Sequence, residues 1–216
     1  MSRQGSFRLL ANRPLPIRLL ALYLGLVLYG FSAGLMIAAG LGNMPWDVLH
    51  QGIANHLPLS VGVVVVGMSL LVLLAWIPLK QRPGLGTISN AVLVGVFIDL
   101  TLLVVSPPEA LWLRILLMLS GIVLNGVATV LYIIPNFGPG PRDGLMTGLV
   151  ERTGRSITLV RSSIEIAVMA VGWALGGVFF VGTLLYAFGI GPVTGIFLRI
   201  AERLLGPADP MSSENT

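Results

Sequence analysis

The chain has 216 residues, of which 55% are hydrophobic and 10% charged, and its formal net charge at pH 7 is +4. A soluble domain carries about 25% charged residues, so this composition excludes an ordinary soluble protein and indicates an integral membrane protein. The absence of cysteine excludes disulfides and thiolate metal sites, and two histidines alone do not make a convincing metal site.

Six apolar segments are long enough to cross a membrane as helices, which takes about 20 residues at a rise of 1.5 Å each. The first is longer than the apolar core of a secretory signal, so we expect a span there. A basic tail, residues 1–16, precedes it, and a polar tail, residues 205–216, is predicted to be disordered. The predicted spans are 19–39, 60–79, 87–105, 113–134, 157–175 and 182–198, and short helices are predicted at 45–57 and 141–152.

The second half of the chain repeats the first at an offset of 96 residues. Residues 17–101 and 113–197 are identical at 21 of 85 aligned positions, which include glycine, proline, aspartate, arginine, serine and threonine pairs. The repeats, 17–105 and 113–200, each hold three spans and a short helix after the first span. Because three is odd, the second repeat must enter the membrane from the opposite side, which predicts an inverted pair of the kind found in many secondary transporters.

The basic residues predict the orientation of the chain. With the N-terminus inside, 12 of the 13 lysines and arginines fall on the cytoplasmic side, and only Arg114 falls outside. This distribution follows the positive-inside rule and explains the net charge better than nucleic-acid binding does. The sequence therefore predicts an all-α membrane protein of six spans with both termini in the cytoplasm.

The short helices begin at the repeat-related residues Pro45 and Pro141, and proline suits the first helical position. Asp47 and Asp143 follow at the third position, where a carboxylate can cap free N–H groups of the first turn. On this interpretation both carboxylates are structural, and the first short helix, which is amphipathic, lies in the membrane interface. Alternatively, both are half-helices that present their N-termini to a substrate, with Arg142 adding a charge suited to a carboxylate or phosphate.

The motif of the short helices carries a resemblance to a known family. The pattern G-x-x-P-W-D-V-L-x-Q-G begins at Gly42, and G-P-R-D-G-L-M-T-G begins at Gly140. Together they resemble the YczE-like bacterial membrane proteins, relatives of the YitT group, over roughly residues 17–200. The resemblance implies a bacterial plasma-membrane protein with six spans, and it implies no particular substrate or activity.

Polar residues inside the predicted spans are candidates for a solute or ion site, because buried charge is costly in lipid. Asp99 lies twelve residues into the third span with no basic partner on its own helix, and we expect it to face the interface between the repeats. Arg161 and Glu165, four residues apart, can form an internal ion pair or serve a site. Asn125 in the fourth span is a further candidate. The pair Gly191 and Gly195 in the sixth span is expected to pack against another helix.

No enzyme motif is present: the sequence has no nucleophile elbow, zinc-protease motif, P-loop or dinucleotide-binding glycine pattern. We therefore expect no enzyme activity, no cofactor, no metal and no nucleic-acid partner. Our first hypothesis is a small-solute transporter or channel in the lipid bilayer, with a site between the repeats for a small anionic solute or a proton.

Two alternatives stay open. The protein could be a non-transporting membrane scaffold or accessory subunit, or a substrate-binding subunit of a larger importer, and a homo-oligomer is compatible with each. A polar cavity among spans one, three, four and six would favour the transporter, whereas a packed interior with an apolar or small-residue outer face would favour the scaffold.

Overall fold

The computed structural model describes residues 9–206, which form eight α-helices. Six of these helices are long and apolar enough to cross a membrane, and they confirm the predicted all-α class with six spans. The long helices are α1 (Leu15–Ala39), α3 (Val61–Leu79), α4 (Leu85–Val104), α5 (Leu111–Ile133), α7 (Ile157–Ala174) and α8 (Val181–Leu205), and the short ones are α2 (Pro45–Ala54) and α6 (Pro141–Thr153).

Local sequence signals set most helix bounds. Ser60 and Ser156 are repeat-related caps of α3 and α7, and each side-chain oxygen accepts a hydrogen bond from the third N–H of its helix. Helix α8 runs to Leu205, well past the predicted end at 198, because no glycine or proline follows Gly195 before Gly206. Helix α2 ends at Ala54 rather than at residue 57.

The described part of the predicted N-terminal tail packs against the bundle and is not loose. Leu9 and Leu10 are buried against α5 and α8, and Arg13 donates a hydrogen bond to the carbonyl of Leu205. Helix α1 begins at Leu15, so the end of the predicted tail belongs to the first span. The predicted disordered tail, beyond residue 206, lies outside the described residues.

The two halves hold each other through contacts that recur at the offset of 96 residues. One pair joins an arginine guanidinium to a backbone carbonyl of the other half, and a second pair joins a backbone N–H to a backbone carbonyl. In the first pair, Arg18 donates to the carbonyl of Pro135 and Arg114 to that of Ala39. In the second pair, the Gly86 N–H donates to the carbonyl of Phe137 and the Gly182 N–H to that of Leu41. This reciprocal pattern is the one that a two-fold axis produces. The inverted placement of the repeats in the membrane remains a prediction.

The symmetry breaks where the long helices of each half pack on one another. In the first half, α3 and α4 pack so closely that a Cβ added at Gly62 or Gly95 would meet the backbone of the other helix. In the second half, α7 and α8 barely touch, and a Cβ at Gly191 or Gly195 would meet nothing within 4 Å among residues 9–206. The packing expected for the last two glycines is therefore absent, and the second half is open between α7 and α8.

Candidate functional site

The short helices bring their N-termini together between the two halves. Arg142 Nη2 of α6 lies 3.4 Å from Asp47 Oδ1 of α2, although 95 positions separate the two residues. Asp47 and His50 are almost fully buried, with exposed fractions of 2% and 1%. A helix lying in the membrane interface would expose this polar face, so the burial favours half-helices that reach into the protein.

The aspartates of the two motifs bind side chains rather than the N–H groups of their own helices. Asp47 accepts a hydrogen bond from His50 Nδ1 at 3.0 Å, and Asp143 accepts one from the Tyr132 hydroxyl at 2.8 Å. Neither α2 nor α6 has a side-chain cap at its N-terminus. The expected hydrogen bonds from the two carboxylates to free N–H groups are therefore absent among the described residues, while both carboxylates lie in the first turn and Pro45 and Pro141 stand at the start of their helices.

Asp47, His50 and Arg142 form a charged group on the short helices, outside the six spans. Burial alone raises the pKa of the Asp47 carboxyl, but the hydrogen bond with His50 and the charge of Arg142 outweigh burial and leave this pKa below its ordinary value. Burial lowers the pKa of the His50 imidazole, and the hydrogen bond with Asp47 opposes this only in part. At neutral pH the group therefore holds an ionised Asp47, and a neutral His50 whose Nδ1–H we assign as the donor.

Two cavities adjoin this charged group. The smaller has a volume of about 90 Å³ and the larger about 730 Å³, within the usual range of small-molecule sites. The larger cavity has polar lining residues from all six spans, including Asn90 and Thr194. The residues that line both cavities are Tyr29, Arg142, Asp143, Arg161 and Tyr186.

Arg142, which lines both cavities, has most of its hydrogen-bonding capacity unused. Its guanidinium lies over the Trp46 ring, 5.2 Å from the centroid, and makes only long contacts of 3.4 Å with Asp47 and His50. A guanidinium has five N–H donors, so most of those on Arg142 have no partner within residues 9–206. Arg161, in contrast, donates to Glu165 at 2.8 Å. The geometry suits Arg142 to a planar anionic group such as a carboxylate.

Most of the predicted site residues come together here. Arg142, Arg161 and Glu165 line the smaller cavity, and the ion pair predicted between the last two is present. Asn125 is fully buried behind the cavity, where it accepts a hydrogen bond from Tyr186 and donates one to Ser32. Asn125 therefore positions Tyr186 and does not itself line either cavity.

Asp99 lies elsewhere, and its predicted place between the repeats is wrong. Its carboxylate accepts hydrogen bonds from the Ser60 hydroxyl and the Gly62 N–H at the N-terminus of α3, within the first half. Asp99 lies five positions from the C-terminal end of α4 and is therefore near one end of its span. Its predicted depth was counted only from the N-terminal end of the span. Asp99 thus anchors α4 to the start of α3.

The site also contains three tyrosines and one histidine that were not predicted from the sequence. Tyr29, Tyr132 and Tyr186 line the larger cavity from three different spans. A phenolic hydroxyl in the middle of an apolar span needs a hydrogen-bond partner, and this signal could have identified them. His50, on the amphipathic first short helix, was not predicted as a site residue. Within the described residues, no group of three or more His, Cys, Asp or Glu side chains could hold a metal ion.

Comparison with known proteins identifies relatives along most of the chain. Residues 16–199 match the family of unknown function DUF6198. An uncharacterised protein of Haemophilus influenzae is 44% identical over 85% of this chain and 84% of its own length. The uncharacterised membrane protein YczE of Bacillus subtilis is 32% identical over 83% of this chain and 82% of its own. The uncharacterised protein YyaS of the same organism is 28% identical over 83% and 92%. No solved structure matches the chain.

Proposed function

The chain belongs to the YczE-like membrane proteins of the family of unknown function DUF6198, and we propose that it is a transporter or channel for a small anionic solute. One observation carries the proposal: a cavity of about 730 Å³ with both polar and apolar lining residues lies among spans of both halves, where a scaffold would be packed. Transporters built from repeats bind their substrates at this place. On this proposal the protein has no enzymatic activity, and it lies in the bacterial plasma membrane with both termini in the cytoplasm.

The anionic group of the solute binds at Arg142. The guanidinium is placed by the Trp46 ring, borders both cavities and has most of its donors free. The N-termini of α2 and α6 meet beside it, and the positive ends of their helix dipoles favour negative charge. Arg161 and Glu165 of α7, which also line the smaller cavity, contact the remainder of the solute.

Flux in proteoliposomes tests the proposal. Purified protein should exchange labelled lactate, succinate or inorganic phosphate across the bilayer, and Arg142→Gln should abolish that exchange because it removes the anion-binding group. Arg155→Gln is the matched control, because Arg155 is exposed in the loop after α6 and lines neither cavity. Folded protein that neither binds nor moves any of these anions would contradict the proposal.

A second candidate is an accessory subunit or scaffold, and the open face between α7 and α8 favours it. Gly191 and Gly195 line the larger cavity on that side with open space around them, and small residues allow close approach of another membrane helix. If the protein works in this way, it should purify as a stable complex with a second membrane chain, and Gly191→Leu should dissociate that complex without changing the fold.

A further inference from the structure

The buried Asp47 carboxylate is a feature of the site that anion binding alone does not explain. Its side chain is 3% exposed, and an ion so buried needs a counter-charge because desolvation costs several kcal/mol. Arg142 is that counter-charge, and it is also the group that we assign to the solute anion. One cation therefore serves two anions, and binding of the solute must weaken the partnership of Arg142 with Asp47.

We propose that Asp47 and His50 form a proton-binding site that is coupled through Arg142 to the solute site, an inference that rests on the proposed function. When the solute anion binds, the guanidinium turns its N–H donors to the anion, and its long 3.4 Å contact with Asp47 is lost. The carboxylate then takes a proton from the water of the cavity, so that one O–H bond forms on Asp47. His50 Nδ1–H stays hydrogen-bonded to the other carboxyl oxygen.

The total charge of the site stays constant through this exchange. The empty site holds charged Arg142, ionised Asp47 and neutral His50, which sum to zero. The loaded site holds charged Arg142, a monovalent anion and protonated Asp47, which again sum to zero. An exchange that leaves this sum unchanged adds no unpaired charge at membrane depth, so the cargo is a monovalent carboxylate together with a proton.

The other ionisable groups near Asp47 have partners of their own. Glu165 is paired with Arg161, and Asp143 accepts the Tyr132 hydroxyl. Helix α3, which also packs on α2, contains no ionisable side chain. The groups that face the Asp47 region from the remaining elements are Tyr29 of α1, Arg142 and Asp143 of α6, Arg161 and Glu165 of α7, and Tyr186 of α8. Asp47 is thus the carboxylate whose charge depends on Arg142.

The first experiment observes the protonation of Asp47 directly, by infrared spectroscopy of the protein in lipid nanodiscs at neutral pH. Wild type and Arg142→Lys should show Asp47 ionised, because both keep the counter-charge. Arg142→Gln should add a protonated-carboxyl band that disappears in the double variant with Asp47→Asn. An Arg142→Gln protein without this band would overturn the assignment of the proton to Asp47, whether or not any solute is transported.

The second experiment uses the wild-type chain and does not depend on the folding of Arg142→Gln. Lactate, which is ionised at neutral pH, is added to protein in weakly buffered solution with a pH-indicator dye, while thermal stabilisation reports binding. We expect one proton to be taken up for each lactate bound, none with Asp47→Asn, and an affinity for lactate that rises as the pH falls.

The two experiments separate the inference from the function on which it rests. Lactate binding without proton uptake would overturn the coupling and leave the anion site intact. Absence of lactate binding would count against a carboxylate solute, and with it against the coupling, while the infrared band would still decide whether Asp47 binds a proton when its counter-charge is removed.

Discussion

Asp99 and Gly195 occupy equivalent positions in the two halves, and the difference between them has a structural consequence. The Asp99 carboxylate binds the first turn of α3 and joins it to α4. At Gly195 no carboxylate is available, and α7 and α8 stand apart. A charged residue in a predicted span is thus here a local cap, which compensates its desolvation by accepting hydrogen bonds from one N–H and one hydroxyl at a helix N-terminus.

We expect Asp99→Ala to lower stability and to leave anion flux through the folded protein unchanged. Loss of a helix cap costs about 1–2 kcal/mol, and Asp99 lines neither cavity. Thermal unfolding in detergent measures the first effect and flux in proteoliposomes the second. Unchanged stability with lost flux would return Asp99 to the solute site.

At the scale of the helices, glycine contacts decide which pairs are closed. Gly95 and Gly191 are repeat-related, yet Gly95 lies against the backbone of Gly62 whereas Gly191 has open space around it. The same residue type at equivalent positions therefore has different neighbours, and the difference arises from the placement of whole helices.

This pair provides a matched test of the packing. Gly95→Ala should destabilise the protein by about 1–3 kcal/mol, because the added methyl group meets the α3 backbone. Gly191→Ala should be neutral or stabilising by up to about 1 kcal/mol, since alanine favours a helix and nothing lies within 4 Å of the position. Chemical denaturation of both variants measures the difference, and equal effects would contradict the open arrangement of α7 and α8.

Apolar segment length and capping residues made the helices predictable, because both signals lie within a short stretch of sequence. The site was predictable only in part. Arg142, Arg161 and Glu165 were identified as charges, but the meeting of Arg142 with Asp47 depends on how two distant helices dock. Asp99 was misplaced for the same reason, since its partner Ser60 lies in another helix. Side chains that find partners across helices leave no local pattern in the sequence.

At the scale of the whole molecule, one half is closed and the other open around a shared cavity. If the protein is a transporter, the pair α7–α8 must close when the pair α3–α4 opens, since a site must be open to one side at a time. The hydrogen bonds that Asp99 accepts at the start of α3 must then break when the first half opens, and they set the free-energy cost of that opening.

Cross-linking tests this exchange. Thr158→Cys and Gly191→Cys, the counterparts of the contacting residues Gly62 and Gly95, should cross-link slowly with a short reagent and, once joined, stop flux. Slow reaction is expected because α7 and α8 barely touch in the described state. Each single variant controls for modification alone. Cross-linked protein with unimpaired flux would exclude such a movement.

The predicted orientation has a simple labelling test, because the chain contains no cysteine. Arg82→Cys should react with an impermeant thiol reagent only after cells are opened, whereas Leu57→Cys should react in intact cells. The expectation rests on the positive-inside distribution of arginine and lysine. Labelling of position 82 from outside would reverse the orientation of the whole bundle.

The reciprocal contacts between the halves also bear on how such a chain could have arisen. A single half on its own would contain an arginine equivalent to Arg18, whose carbonyl acceptor lies in the other half. It would also contain a loop equivalent to the one at Leu41, whose carbonyl accepts a hydrogen bond from an N–H of the other half. It could complete these contacts with a second copy of itself, as a homodimer. If the two halves are inverted in the membrane as predicted, that copy would have to insert in the opposite direction. An ancestor of half this length would then be a dual-topology protein, and fusion of its gene would fix one copy in each orientation.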